Sequence, residues 1–279
     1  MLLGVLLGLS QFSICASAES VRYQLVPPEI VEARLKIYTG DDVAREITLK
    51  NMFASAGCDD QHLFEQAVKG SKQPNVICIL PGNSDRIIIA GAHFDHVSAG
   101  DGVVDNWSGA SLLPSLYQAI KIQPREHTYI FIGFTDEEKG EVGSRFYAQH
   151  MTKEQLALAD AMVNMDTLGL GSAEIWSKHA DKRLNGMLNY IAGLLKVPLT
   201  GVNVDQVGST DSVQFEARKI PSITIHSLTQ ETWNAGILHT SKDQISAIHL
   251  DSYYQTYRLV SAYLAFLDQT LPGKSSPAH

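Results

Sequence analysis

The chain has 279 residues, 44% hydrophobic and 19% charged, a composition that suits a soluble globular fold with one large core. Its 22 basic and 30 acidic side chains give a formal net charge of −8, so no basic face for nucleic acid is indicated and nucleic-acid partners are set aside.

The first 18 residues, MLLGVLLGLSQFSICASA, carry no charged side chain and end in the small-residue pattern Ala16-Ser17-Ala18. The run is short for a membrane span and reads as a secretory signal over 1–18, with an uncleaved anchor as the alternative. Cleavage would leave one domain over 19–279, secreted or periplasmic, without stable membrane association. Cys58 and Cys78 would then be the remaining cysteines, an even pair that reads as a disulfide or as two buried thiols.

Helical patterning runs from Pro27 to about Ala56, with a second amphipathic segment over 41–53 after Gly40. Strands are predicted over 61–68, 76–80 and 86–90. A helix over 108–122 follows, capped by Ser108 or Asn106, and Pro114 conflicts with it unless it falls early in the helix. The fully apolar TYIFIGF at 128–134 predicts a strand covered on both faces. Further elements are a helix over 142–150, strands over 161–165 and 173–177, and a helix over 181–195. A short helix over 210–218, a strand over 221–226 and a closing helix over 251–267 complete the series. The tail 273–279 reads as disordered. Strands alternating with helices, without repeats or linkers, predict a single-domain α/β/α sandwich on a mostly parallel, mixed sheet.

Candidate metal ligands follow successive apolar strands: His93, Asp105, Glu138, Asp166 and His239. In open α/β sheets such positions converge at the carboxyl ends of the strands. Imidazole and carboxylate donors suit zinc, and Asp95 is spaced to hold the second nitrogen of His93. Two histidines and three carboxylates exceed the needs of one site; two ions fit if Asp105 bridges. In Glu137-Glu138, one carboxylate can bind metal while its neighbour acts as general base, although DEEK also reads as a solvated loop. Gly140 and Gly143 then permit a tight return. His62, His127, His150, His179 and His249 read as surface or packed residues. His96 and His226 stand nearer the motifs, Trp107 can wall the site or fill the core, and Trp233 lies in a loop that can line a substrate pocket.

The ordered set GAHFDHV, DNWSGA, DEEKGEVGSRFY, NMDTLG, STDSVQF and LHTSKD resembles the co-catalytic dizinc exopeptidases of metallopeptidase family 28. That resemblance implies two zinc ions per chain and a peptide substrate. It assigns His93 and Asp166 to one ion, Glu138 and His239 to the other, Asp105 as bridge, Asp95 as the residue orienting His93, and Glu137 as general base. Asp211 matches a supporting position, Leu238 replaces an aromatic residue often found before the last histidine, and the oxyanion-stabilising residue stays unassigned. An aminopeptidase is the leading expectation. A glutaminyl cyclase using one zinc and a catalytically inactive binding module on the same scaffold are the alternatives.

Overall fold

The computed structural model describes residues 21–271. The expected signal segment 1–18 and the tail 273–279 lie outside the described residues. Eight strands form one mixed sheet: β1 (Leu63–Gln66), β2 (Asn75–Leu80), β3 (Ile87–His93), β4 (Thr128–Phe134), β5 (Ala159–Met165), β6 (Ala173–Trp176), β7 (Leu199–Val202) and β8 (Ser222–His226). Their spatial order is β1-β2-β4-β3-β5-β8-β6-β7. The centre is parallel, with β3 between β4 and β5 and β8 beside β5; β6 and β7 are parallel to each other. The pairs β1/β2, β2/β4 and β6/β8 are antiparallel.

The helices are α1 (Pro28–Lys36), α2 (Asp42–Ala56), α3 (Ser108–Lys121), α4 (Val142–His150), α5 (Lys153–Leu158), α6 (Lys182–Leu195), α7 (Ser212–Glu216), α8 (Gln230–Asn234) and α9 (Leu250–Thr270). The wholly apolar central strands split their side chains between two layers. Ile88, Ala90, Ala92, Tyr129 and Phe131 join a core with Phe53, Leu113, Leu188 and Leu264. Ile87, Ile89, Ile130, Ile132 and Phe134 join a second core with Ala148, Met151 and Phe215. This two-sided burial is the expected α/β/α sandwich, and it explains why β3 and β4 lack polar alternation.

Some local expectations shift. The predicted 61–68 strand contracts to β1, because its flanks form turns. Pro114 sits midway along α3, yet the helix continues, with every residue but Gln118 and Lys121 buried; tertiary packing overrides local propensity. Trp107 occupies the N-cap position without a side-chain bond, and Asn106 just before it supplies the acceptor, its Oδ1 accepting from Gly109 N at 2.9 Å. Three elements were not anticipated: α5, entered by a capping box at Thr152 and Gln155, the edge strand β7, and α8. Cys58 and Cys78 form a disulfide that ties the end of α2 to β2. Closing a loop of this length contributes about 3 kcal/mol in the chain-entropy view. No helix among the described residues is long and apolar enough to cross a membrane.

At the opposite edge from the strand carboxyl ends, His127 is fully buried between two carboxylates. Its Nδ1 lies 3.1 Å from Asp268 and its Nε2 3.2 Å from Asp160, which also pairs with Arg86. Burial alone would lower its pKa, but the bonds to Asp160 and Asp268 prevail and raise it to about 9. The unfolded value is about 6.5. The proton-linked stabilisation is therefore complete below about pH 6.5 and is lost as pH rises through about 9. Urea denaturation of wild type and His127→Gln should show a stability gap that narrows by about 2 kcal/mol between pH 6 and pH 10, a value reduced for solvent screening at the Arg86 end. A gap independent of pH would show that His127 is neutral in the folded protein.

Candidate metal centre

Three parallel strands deliver their carboxyl ends to one edge. β3 ends in His93, β4 leads through Thr135 and Asp136 to Glu137 and Glu138, and β5 is followed by Asp166. The chain passes from β3 to β4 on one side and then to β5 on the other, so a crevice opens where the order reverses. Asp105 enters from a wide turn, Val103–Trp107, in which Asp105 and Asn106 leave helical geometry and are joined by a cis peptide. His239 enters from the loop after α8. The return after Glu138 requires both predicted glycines. Gly140 has φ +94°, and a Cβ on Gly143 would lie 2.4 Å from Asn75 Oδ1 and 2.5 Å from the Thr135 carbonyl.

All five predicted ligands converge. Asp105 turns Oδ1 towards His93 Nε2 at 3.3 Å and Oδ2 towards His239 Nε2 at 3.2 Å. His93 Nε2 is also 3.7 Å from Asp166 Oδ1 and 3.9 Å from Glu137 Oε2, while His239 Nε2 is 3.0 Å from Glu138 Oε2. Donor atoms of His93, Glu137 and Asp166 lie within 4.8 Å of one another, and so do those of Asp105, Glu138 and His239. One aspartate thus spans two neighbouring donor groups.

Buried groups hold these ligands by their backbone. The Asp95 carboxylate accepts from Glu137 N at 3.0 Å and Glu138 N at 3.2 Å. It stands 3.5 Å from His93 Nδ1, which is nearer the Asp95 carbonyl at 3.2 Å. Asp95 therefore orients the Glu137-Glu138 loop as well as the imidazole, a connection that its spacing from His93 does not reveal. Asp243 accepts from Val104 N at 2.7 Å and Asp105 N at 3.1 Å. Arg45, fully buried on α2, donates to the carbonyls of Thr39, Phe94, Asp101 and Gly102 and lies over the Trp107 ring. Thr210 donates to Asp166 Oδ2 at 2.6 Å. Asp211 lies fully buried close by; the Ser144 side chain lies near it, but neither carboxylate oxygen meets a donor among the described residues in hydrogen-bonding geometry.

The electrostatics call for positive charge. Burial, reinforced by Asp211, Asp166 and Asp105, pushes Glu137 up to about 10, and burial also raises Glu138. Hydrogen bonds to Asp105 and Glu138 raise His239 to about 10. Burial opposes protonation of His93, yet Glu137 and the three aspartates around it raise its pKa well above the ordinary value. Protons on these groups occupy the place that a dication would take, since a cation removes the repulsion between the carboxylates. Glu138 Oε1 is buried without a hydrogen-bond partner among the described residues, an acceptor available to a metal. The donors fit a pair of zinc-like ions.

The site opens into a cavity of about 350 Å³. Its lining includes the carboxylates of Asp105, Glu137, Glu138, Glu141 and Asp166 and the apolar side chains of Trp176, Val204, Val207, Leu228 and Trp233, together with His226. No lysine or arginine among the described residues lines it. Trp233 and His226 thus belong to the cavity, whereas His96 pairs with Asp42 at 3.0 Å and Trp107 is core. Burial pushes His226 down to about 4. His62, His127, His150, His179 and His249 stand outside the cavity lining. Four non-glycine residues at or beside the site, Asp136, Glu141, Thr167 and His239, have positive φ, a conformation that costs energy and gathers where geometry is imposed.

Residues 75–264 match the family model described as Peptidase family M28. Aminopeptidase YwaD of Bacillus subtilis is 28% identical over 210 residues, covering 71% of this chain and 43% of that protein. The chain thus spans less than half of this curated relative. The LapA aminopeptidase of Legionella pneumophila superposes with a TM-score of 0.75 at 22% identity, over 88% of this chain and 71% of the other. A glutaminyl cyclase from an Acidobacteriales bacterium superposes with a TM-score of 0.70 at 16% identity, over 87% and 93%. A peptidase and a cyclase share this fold, so the fold alone does not choose between them.

Asp243→Asn should test the backbone clamp. It retains one acceptor oxygen and loses the charge, so zinc affinity should fall about 10- to 100-fold with the fold intact. Chelator competition, with thermal melting of the same samples, reads both. Unchanged affinity would show that Asp105 is held without Asp243.

Proposed function

Because the chain belongs to peptidase family M28, we propose that it is a dizinc exopeptidase acting at the amino end of peptides. The observation that carries the reading is Asp105, with one oxygen facing each histidine at the mouth of the cavity. His93 and Asp166 would hold one zinc, Glu138 and His239 the other, with Asp105 shared between them. The many carboxylates, with no lysine or arginine among the described lining residues, favour a substrate ammonium over a substrate carboxylate there. The apolar wall accommodates the side chain of the terminal residue.

Bound zinc supplies Lewis acidity, lowering the pKa of a water and polarising the scissile carbonyl. Glu137, with its backbone fixed by Asp95, takes the proton of the attacking water. As the carbon–nitrogen bond breaks, Glu137 returns that proton to the departing amine. The cyclase alternative needs no water: it converts an N-terminal glutamine to pyroglutamate with loss of ammonia. The two donor groups favour the peptidase.

Export also belongs to this reading. The apolar segment ending at Ala18 and the Cys58–Cys78 disulfide both suit an oxidising compartment. Protein recovered outside the cytoplasm should have an intact mass beginning at Glu19; retention of residues 1–18 would refute cleavage.

Glu137 and Glu138 should separate although they are neighbours. Glu138→Ala should lose zinc and activity together. Glu137→Gln should keep zinc and still bind a competitive inhibitor, while kcat on an aminoacyl peptide falls about 10²–10⁴-fold. Near-normal kcat in Glu137→Gln with full zinc content would remove Glu137 as the base. Pyroglutamate formation without hydrolysis by the wild type would favour the cyclase.

A further inference from the structure

The cavity lining holds one carboxylate that the mechanism does not use. Glu141 lines the cavity together with Asp105, Glu137, Glu138 and Asp166. Two dications would balance the charge of those other four, which leaves Glu141 as the lining carboxylate with negative charge to offer. The turn after the ligand loop puts it there: Glu141 N donates to the carbonyl of Glu137 at 2.7 Å. The side chain is 12% exposed, so it is shielded but not closed. Its Oε2 accepts from Gln214 Nε2 and from Arg145 Nη2, each at 3.3 Å. Both bonds are long, and Arg145 is exposed and also donates to the Gly140 carbonyl. A carboxylate offers about four acceptor sites, so capacity remains for a donor arriving from the cavity. Packing separates Glu141 from the apolar part of the lining. Trp176, Val204 and Leu228 belong to the core on one face of the sheet. Glu141 immediately precedes α4, and Gln214 lies on α7; these helices pack Ala148 and Phe215 into the core on the other face.

We propose that Glu141 is a specificity-determining residue that pairs with a cationic side chain, lysine or arginine, on the second residue of the substrate. The proposal rests on the exopeptidase reading for the orientation of the peptide. With the terminal side chain against the apolar wall, the scissile carbonyl lies at the metal ligands and the departing amine at Glu137. The α-ammonium is one carbon from that carbonyl, within reach of the ligand carboxylates rather than of Glu141. Beyond the departing nitrogen the peptide continues past Glu137, and Glu141 stands four residues further along the same turn. The long stem of lysine or arginine spans the remaining distance and delivers its donors to the carboxylate. A cation held by a shielded carboxylate is bound more firmly than in open water, whereas a neutral side chain of the same shape forgoes the charge.

The test compares second residues that differ in charge at similar shape, arginine with citrulline and lysine with norleucine, in leucyl-X amides. Each pair is offered to the zinc-loaded enzyme for kcat/KM. Phosphinic analogues, in which the scissile amide is replaced and resists hydrolysis, give Kd by calorimetry. In the wild type the cationic member should be preferred about tenfold by both measures, the size of one charge-assisted hydrogen bond. Glu141→Gln should bring the ratio close to unity, and Glu141→Asp, which keeps the charge, should restore part of it. Ratios within one protein are insensitive to the fraction folded. Wild-type ratios near unity, or a preference that persists in Glu141→Gln, would overturn the proposal. So would a charge preference that appears instead between arginine amide and citrulline amide, where the residue is first, or failure of every phosphinic analogue to bind. If no leucyl amide is hydrolysed while the analogue ratios behave as expected, the exopeptidase reading fails and the role of Glu141 as a cation-recognising residue stands.

Discussion

Crowding of negative charge at one edge of a buried sheet is the constraint around which the molecule is arranged. Asp95, Asp105, Glu137, Glu138, Asp166, Asp211 and Asp243 gather near two imidazoles, most of them out of water. Carboxylates so placed repel one another and lose hydration, and each must be compensated. Two kinds of compensation coexist. Asp95 and Asp243 use backbone N–H groups of the ligand-bearing loops, so a cost of burial becomes a means of positioning. The carboxylates of Asp105, Glu138 and Asp166 face imidazoles instead, and a divalent cation suits them better than protons. Arg45 supplies fixed positive charge beneath the loop and satisfies three carbonyls there, with a fourth from Thr39 ahead of its own helix. Burial lowers its pKa to about 10, still far above neutrality.

How much of this was legible beforehand depended on the distance over which each signal acts. The central strands announced themselves because continuous apolar runs record burial on both faces, as TYIFIGF does. The converging donors are legible because each one immediately follows such a run or sits in a compact motif. The two clamps were less so. Asp243 lies within LHTSKD, but nothing in that string reveals that its carboxylate reaches the amides of Val104 and Asp105. Arg45 resembles an ordinary basic residue on an amphipathic helix, and only tertiary contact shows it buried. The pocket wall was similarly hidden: Trp176 and His226 come together because β6 is placed next to β8, a neighbourhood that strand sequence does not encode. The short elements α5, β7 and α8 contain too few residues to show a period, although the Thr152 and Thr229 caps were visible signals.

The same scaffold carries an aminopeptidase and a glutaminyl cyclase, so chemistry follows from side chains rather than from topology. Here the decisive contrast is between groups that are nearly interchangeable in composition. Glu137 and Glu138 are adjacent and both largely buried, yet one faces His93 and the other His239. Their separation follows from the loop that Asp95, Gly140 and Gly143 shape together.

The disulfide lies far from the crevice in sequence, but α2 links the two mechanically. Arg45 stands in the first turn of this helix and Cys58 two residues beyond its last turn. At 1.5 Å per residue, the lever between them is about 20 Å long. Its far end is riveted to β2, while its near end grips the floor of the loop between Phe94 and Gly102. Oxidation of Cys58 and Cys78 therefore limits the sliding of α2 against the sheet, and with it the play available to His93 and Asp105. A covalent seam thus stands at one end of a strut and the cluster of carboxylates and imidazoles at the other, so closing the seam also steadies the cluster.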